Sequence, residues 1–273
     1  MVGIKNCNFA KADAFGNKIL VLDARNFYGN IPKIDFEYDQ LMLLGKNSDV
    51  TIYNIDGSQA GACGNGMRAL SQFLHYKEGL KNTSFTVGKN SISCKYISDN
   101  IIEVAMPEPS FEPADIGLVE ELKDLTKVTF PPYPLPDAVV LSVGNPHAVM
   151  FFDNLPSMYL ICELGRQVEN HRYFKNRCNV SFARALSKTE IELVTWERGA
   201  GLTKACGSAS CATQVAAYTL GLVEETVTVK LLEGELTISW KPGKKILMQG
   251  AIKMTHYGEI DLTNGNILNI TEV

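Results

Sequence analysis

A single cysteine among small residues, followed at once by a helical run, occurs twice in this chain. The copies are Ala62-Cys63-Gly64-Asn65-Gly66 and Ala205-Cys206-Gly207-Ser208-Ala209. After the first, Met67, Leu70 and Leu74 fall at i, i+3 and i+7, the spacing of one buried helix face. The small residues then sit where a helix exposes its first unpaired N–H groups. A thiol there feels the positive end of the helix dipole and becomes reactive, and the same N–H groups can hold a carboxylate or phosphate. The surroundings repeat as well. At the same distance before each cysteine a polar residue ends a strand-like run, Asn54 in Thr51-Ile52-Tyr53-Asn54 and Glu197 in Leu193-Val194-Thr195-Trp196-Glu197. Each helical run closes on Gly-Leu (Gly79-Leu80, Gly221-Leu222), and a Gly-Asn pair stands upstream of each, Gly16-Asn17 and Gly144-Asn145. Features matching in the same order point to duplicated halves. Two facing halves would bring both cysteines to one interface.

The rest of the chain fits that plan. Strands are expected at Ile19–Leu22, after a turn at Phe15-Gly16-Asn17-Lys18, and at Tyr38–Leu44 and Val50–Ile55. A helix over Asn65–Lys77 is apolar on more than one face, which suggests enclosure by sheet. Ser91–Ile97 and Ile101–Met106 alternate around Ser98-Asp99-Asn100 as a hairpin. Further strands are expected at Ala138–Val143, Ala148–Phe152, Cys178–Phe182, Ile191–Trp196, Thr226–Leu232 and Leu236–Trp240. A polar helix starts near Ser157 and ends near His171, and the tail from Ile246 closes a sheet. The class is α+β: two pseudo-symmetric domains, each a mostly antiparallel sheet wrapped around a central helix. Met106-Pro107-Glu108-Pro109 with Pro113 reads as a linker. One half is therefore residues 1–114 with about 257–273, carrying Cys63, and the other is 115–256, carrying Cys206, with the active site in the cleft between them.

Several function classes are disfavoured. A net charge of −4 and the lack of a Lys/Arg stripe argue against a nucleic-acid surface. Seven cysteines without Cys-x-x-Cys do not form a disulfide framework. With no signal-peptide pattern and no apolar run near the length of a membrane span, a reducing cytoplasm is the expected compartment. Cys206 and Cys211 do not cluster with His75, His147, His171 or His256 as zinc ligands would, so no metal site is expected. The P-loop and the Rossmann fingerprint are both absent. A Cys-His hydrolase could use Cys63 or Cys206 with His147, but it leaves the second cysteine without a role.

Two equivalent thiols suit proton transfer on both faces of one carbon. A thiolate removes a proton, the opposite thiol delivers one, and the stereocentre inverts. Two helix N-termini aimed at one carboxylate would stabilise the charge that develops as the α-proton leaves. No lysine stands out as a Schiff-base candidate, and no cofactor is required.

Asp56-Gly57-Ser58 leading to Ala62-Cys63-Gly64-Asn65-Gly66, Gly144-Asn145-Pro146-His147, Glu197-Arg198-Gly199-Ala200-Gly201 and Ala205-Cys206-Gly207-Ser208 occur in the order found in diaminopimelate epimerases, and the chain resembles that family over nearly its whole length. The resemblance implies two similar α/β domains and cofactor-independent interconversion of LL- and meso-2,6-diaminopimelate, a step toward lysine and peptidoglycan. It implies Cys63 and Cys206 as the acid/base pair, with His147 and Glu197 important for catalysis. Gly64, Asn65, Gly207 and Ser208 would hold the reacting carboxylate, and Glu197 the reacting ammonium. Asn17, Gln40, Asn54, Asn145, Asn179 and Arg198 match substrate-binding positions. A homodimer is implied, with Tyr257 at a dimer contact. The chain departs from the family pattern in the Asp13–Ile19 loop, where only Gly-Asn is kept, at Leu202 in place of Glu, and at Ala209 in place of Gly. The nearest rivals are a proline or hydroxyproline racemase and a ligand-binding module without activity. The first would not need Asn54, Asn179 and Arg198 for a distal amino acid, and the second would not need both cysteines.

Overall fold

The computed structural model describes residues 6–27, 32, 34, 36–60 and 63–273; Gly61 and Ala62 of the first cysteine motif lie outside them. In chain order the first elements are β1 (Asn6–Ala14), β2 (Asn17–Asp23), β3 (Gln40–Leu44), β4 (Val50–Asn54), β5 (Gln59–Ala60) and α1 (Gly64–Glu78). Next come β6 (Asn82–Val87), β7 (Asn90–Ser98), β8 (Ile101–Met106), α2 (Pro113–Ile116), β9 (Ala138–Ser142), β10 (Pro146–Phe151) and α3 (Met158–Glu169). The remainder is β11 (Asn179–Ala185), β12 (Glu190–Glu197), β13 (Gly201–Thr203), α4 (Gly207–Thr219), β14 (Thr226–Lys230), β15 (Glu235–Ser239), β16 (Ile246–Ala251), β17 (Lys253–Asp261) and β18 (Ile267–Glu272). No helix among the described residues is long and apolar enough to cross a membrane.

Packing divides the chain into Met1–Ala105 with Gln249–Val273, and Met106–Met248. The sequence puts these divisions later, near 114 and 257. Ser110 pairs in both directions with Ser142 of β9 at 2.8 Å, so the proline-rich linker already belongs to the second unit. Gln249 donates to Glu103 of β8 at 2.7 Å, so the chain has already returned to the first unit there.

In the first unit the strand order is β18-β17-β1-β2-β3-β4-β5, and β6, β7 and β8 form an antiparallel run. One pair is parallel: Ile19 of β2 faces Gln40 of β3. Helix α1 packs against β1, β2, β3 and β7. Met67, Ala69, Leu70 and Phe73 are therefore buried on several faces. Gly79, in the left-handed region at φ 70°, ends the helix. The turn before β2 is tighter than expected. Only Phe15 (φ 56°) and Gly16 (φ 83°) form it, because Asn17 already pairs with Ala14, and Asp13 accepts the Gly16 N–H at 2.8 Å.

The second unit repeats the arrangement. β9 and β10 are antiparallel, β10 and β11 parallel, β11 and β12 antiparallel, and β13 folds back on β12, as in β1 to β5. The parallel pair needs a long crossover, and residues 152–178, with α3, supply it. Helix α4 packs against β9–β12, β14 and β15. Its run Ala209–Ala217 is buried without a break, because Ala, Ser, Cys and Thr let the sheet approach on every side. The α+β class, with a sheet-wrapped helix in each unit, is what the sequence indicates.

Candidate active site

Each cysteine is the N-cap of its unit's central helix, in extended conformation (φ −149° for Cys63, φ −134° for Cys206). In both helices the first-turn geometry leaves the next two N–H groups, those of Gly64 and Asn65 or of Gly207 and Ser208, without carbonyl partners inside the helix. The duplicated strands bring polar side chains to the same end. In the first unit Ile19, Gln40 and Asn54 stand in register across β2, β3 and β4. In the second, His147 faces Asn179 across β10 and β11, and Glu197 ends β12.

The first cluster is made of amides. Gln40 donates to Asn54 Oδ1 at 3.1 Å and accepts from Asn17 Nδ2 at 3.5 Å. The Cys63 thiol donates to Gln40 Oε1 at 2.7 Å, while the Gly66 N–H donates to its sulfur at 3.1 Å. Asn54 is held from behind by Ser58 Oγ at 3.0 Å, itself fixed by Asp56. Arg68, fully buried in α1, donates to Asn65 Oδ1 at 2.8 Å. That orients the carboxamide beside the cysteine, a role the sequence reading missed. The visible signal was a charged residue between two core positions, Met67 and Leu70. A Cβ on Gly66 would lie 2.3 Å from the Met42 sulfur, so a side chain there would have to displace the buried end of Met42.

The second cluster carries charge. Burial and then the neighbouring Glu197 carboxylate push the Cys206 thiol well above its ordinary range, against the pull of the Ser208 hydroxyl and the Ala209 N–H. The Cys206 sulfur lies 3.5 Å from Ser208 Oγ, and Asn145 Nδ2 donates to that hydroxyl at 3.4 Å. His147 is fully buried, and burial, followed by the Arg198 charge, lowers its pKa to about 3. It is a neutral imidazole whose Nε2 meets Asn145 Oδ1 at 3.0 Å. Asn179 donates to the Pro146 carbonyl at 3.1 Å and accepts the Arg198 N–H at 3.0 Å. Within the first unit, then, Asn17, Gln40, Asn54 and Asn65 gather around Cys63. Within the second, Asn145, His147, Glu197 and Ser208 gather around Cys206, with Asn179 holding Arg198.

A relative from Afipia carboxidovorans named diaminopimelate epimerase is 37% identical to this chain, over 96% of it and 97% of the relative. The chain belongs to the diaminopimelate epimerase family. The family model "Diaminopimelate epimerase" matches residues 139–255, and a namesake from Rhodopseudomonas palustris is 37% identical over 96% of both chains. Solved structures extend the likeness in fold. A PhzF-family phenazine biosynthesis protein from Bacillus anthracis aligns at TM-score 0.64 with 15% identity, over 94% of this chain and 99% of that one. A hydroxyproline epimerase from Agrobacterium vitis aligns at 0.60 with 11% identity, over 93% and 92%.

Proposed function

We propose that this protein interconverts LL- and meso-2,6-diaminopimelate by a two-base proton transfer between Cys63 and Cys206, each unit supplying one thiol. The carrying observation is the equivalence of the two thiols, each capping a helix whose next two N–H groups can receive a carboxylate. One thiolate takes the α-proton, the electron pair delocalises into the carboxylate held by Gly64, Asn65, Gly207 and Ser208, and the other thiol protonates the opposite face. The first cysteine ends as thiol and the second as thiolate, so the reverse reaction starts from the product state. The thiols carry the proton themselves, which leaves no step for an organic cofactor.

Glu197 holds the reacting ammonium beside Cys206. Asn17, Gln40, Asn54, Asn145, Asn179 and Arg198 serve the remaining polar groups of a substrate with an amino acid at each end, where an unmatched polar group is costly. His147 acts by orienting Asn145, since burial keeps it neutral and its Nε2 is already engaged. The protein works in the cytoplasm, where thiols stay reduced. It works as a homodimer through the face where Tyr257 stacks on the exposed Tyr76 at 4.0 Å between ring centroids.

The purified, reduced protein should convert LL-diaminopimelate to the meso isomer and leave proline and 4-hydroxyproline unchanged. Turnover of proline instead would replace this assignment. Sedimentation should give a dimer that Tyr257→Ala weakens, and a monomeric wild type would remove the dimer from the account.

A further inference from the structure

Behind the charged half of the site lies a buried carboxylate with no place in the chemistry above. Glu169, the last residue of α3, is 4% exposed. Its Oε2 accepts the Trp196 indole N–H at 2.7 Å, and its Oε1 accepts the Gly199 backbone N–H at 2.8 Å and an Arg177 N–H at 3.0 Å. Trp196 and Gly199 flank Glu197 and Arg198. One carboxylate therefore grips both sides of Glu197, whose charge acts on Cys206, and of Arg198, whose charge acts on His147.

The neighbourhood confirms a fitted clamp. A Cβ on Gly165 of α3 would lie 2.6 Å from the Trp196 ring, so the helix leaves that indole no slack. Gly199 is in the left-handed region (φ 79°), with an Arg177 nitrogen 3.6 Å from where its Cβ would stand. Asn179 Oδ1 takes the intervening Arg198 N–H, and Ala200 closes the turn on the Glu197 carbonyl at 3.1 Å.

We propose that Glu169, assisted by Arg177, is a positioning residue that sets the Glu197–Arg198 turn against Cys206. This rests on the epimerase reading for its kinetic consequence. A carboxamide at 169 could not accept all three donors, because its nitrogen would face the indole or the Gly199 N–H. Displacement of about 1 Å at a reacting group can cost on the order of 100-fold in rate.

The test compares wild type, Glu169→Gln and Trp196→Phe in the diaminopimelate assay. Amide hydrogen exchange over residues 196–200 is followed in parallel without substrate. Glu169→Gln should lose about 100-fold in kcat/KM per folded molecule, with faster exchange in that segment. Trp196→Phe, which keeps a ring against Gly165 and removes only the N–H, should lose less in the same direction. Variants that melt earlier but keep wild-type kcat, KM and local exchange would overturn the proposal. If Glu169→Gln does not fold, Trp196→Phe decides alone. A wild type inert toward diaminopimelate defeats the epimerase reading instead, and the exchange data still judge the clamp.

Discussion

The two cysteine clusters stand on the same scaffold and differ in charge. Asn54 and Glu197 end equivalent strands, and Gln40 and Asn179 start equivalent strands. Around Cys63 every one of these side chains is a neutral amide, and the sulfur both donates to Gln40 and accepts from Gly66. Around Cys206 burial and then a carboxylate raise the thiol, and an imidazole is held neutral. The same geometry occurs twice, and a few strand-end residues make one half a hydrogen-bonding surface and the other an electrostatic one.

The largest effect should come from removing either thiol. Cys63→Ala and Cys206→Ala should each lower epimerisation by more than about 1,000-fold, read by chiral chromatography of the product; retained turnover in either would end the pairing. Copying the second half onto the first comes next. Asn54→Asp puts a carboxylate where Glu197 stands in the other unit, and at neutral pH it should raise the Cys63 thiol and cut kcat by about 10- to 100-fold. Iodoacetamide labelling of Cys63 should shift to higher pH in this variant, and an unmoved labelling profile would show that the strand-end residue does not set the thiol.

A smaller effect concerns stability. At the third position after each cysteine the halves differ, Gly66 against Ala209. Gly66→Ala drives a Cβ into Met42 and should cost roughly 1–3 kcal/mol in denaturant unfolding. Ala209→Gly should cost about 1 kcal/mol or less. A second stability effect depends on pH and comes from His147, whose folded pKa is depressed to about 3. The unfolded chain therefore binds the extra proton first as pH falls. Stability present above the unfolded pKa, about 6.5, should be lost toward the folded value at about 1.4 kcal/mol per pH unit. His147→Gln should flatten that slope between pH 6 and 4, and an identical slope would mean the imidazole is not held neutral.

Much of this is legible in the sequence. The paired Cys-Gly motifs, their helices and the matched polar strand ends are local patterns, written in spacing and residue size. What escaped the sequence depends on residues far apart in it. The parallel pairs β2–β3 and β10–β11 arise from crossovers whose direction no hydropathy pattern encodes. His147 is buried because β9 and β11 flank it, a pairing that its own tetrapeptide does not reveal. Glu169 sits on a helix that reads as polar, and its partners come from β12 and the turn after it. The two packed units likewise follow pairings such as Ser110 with Ser142 rather than the prolines nearby.

The central claim is that two thiols serve opposite faces of one carbon. The most direct measurement is epimerisation of LL-diaminopimelate in deuterated water, stopped at low conversion, with both isomers analysed for label. A two-thiol site predicts meso product deuterated at the inverted carbon while recovered LL substrate stays unlabelled. Product that keeps the substrate's own α-hydrogen would mean that a single base does the work, and would contradict the account.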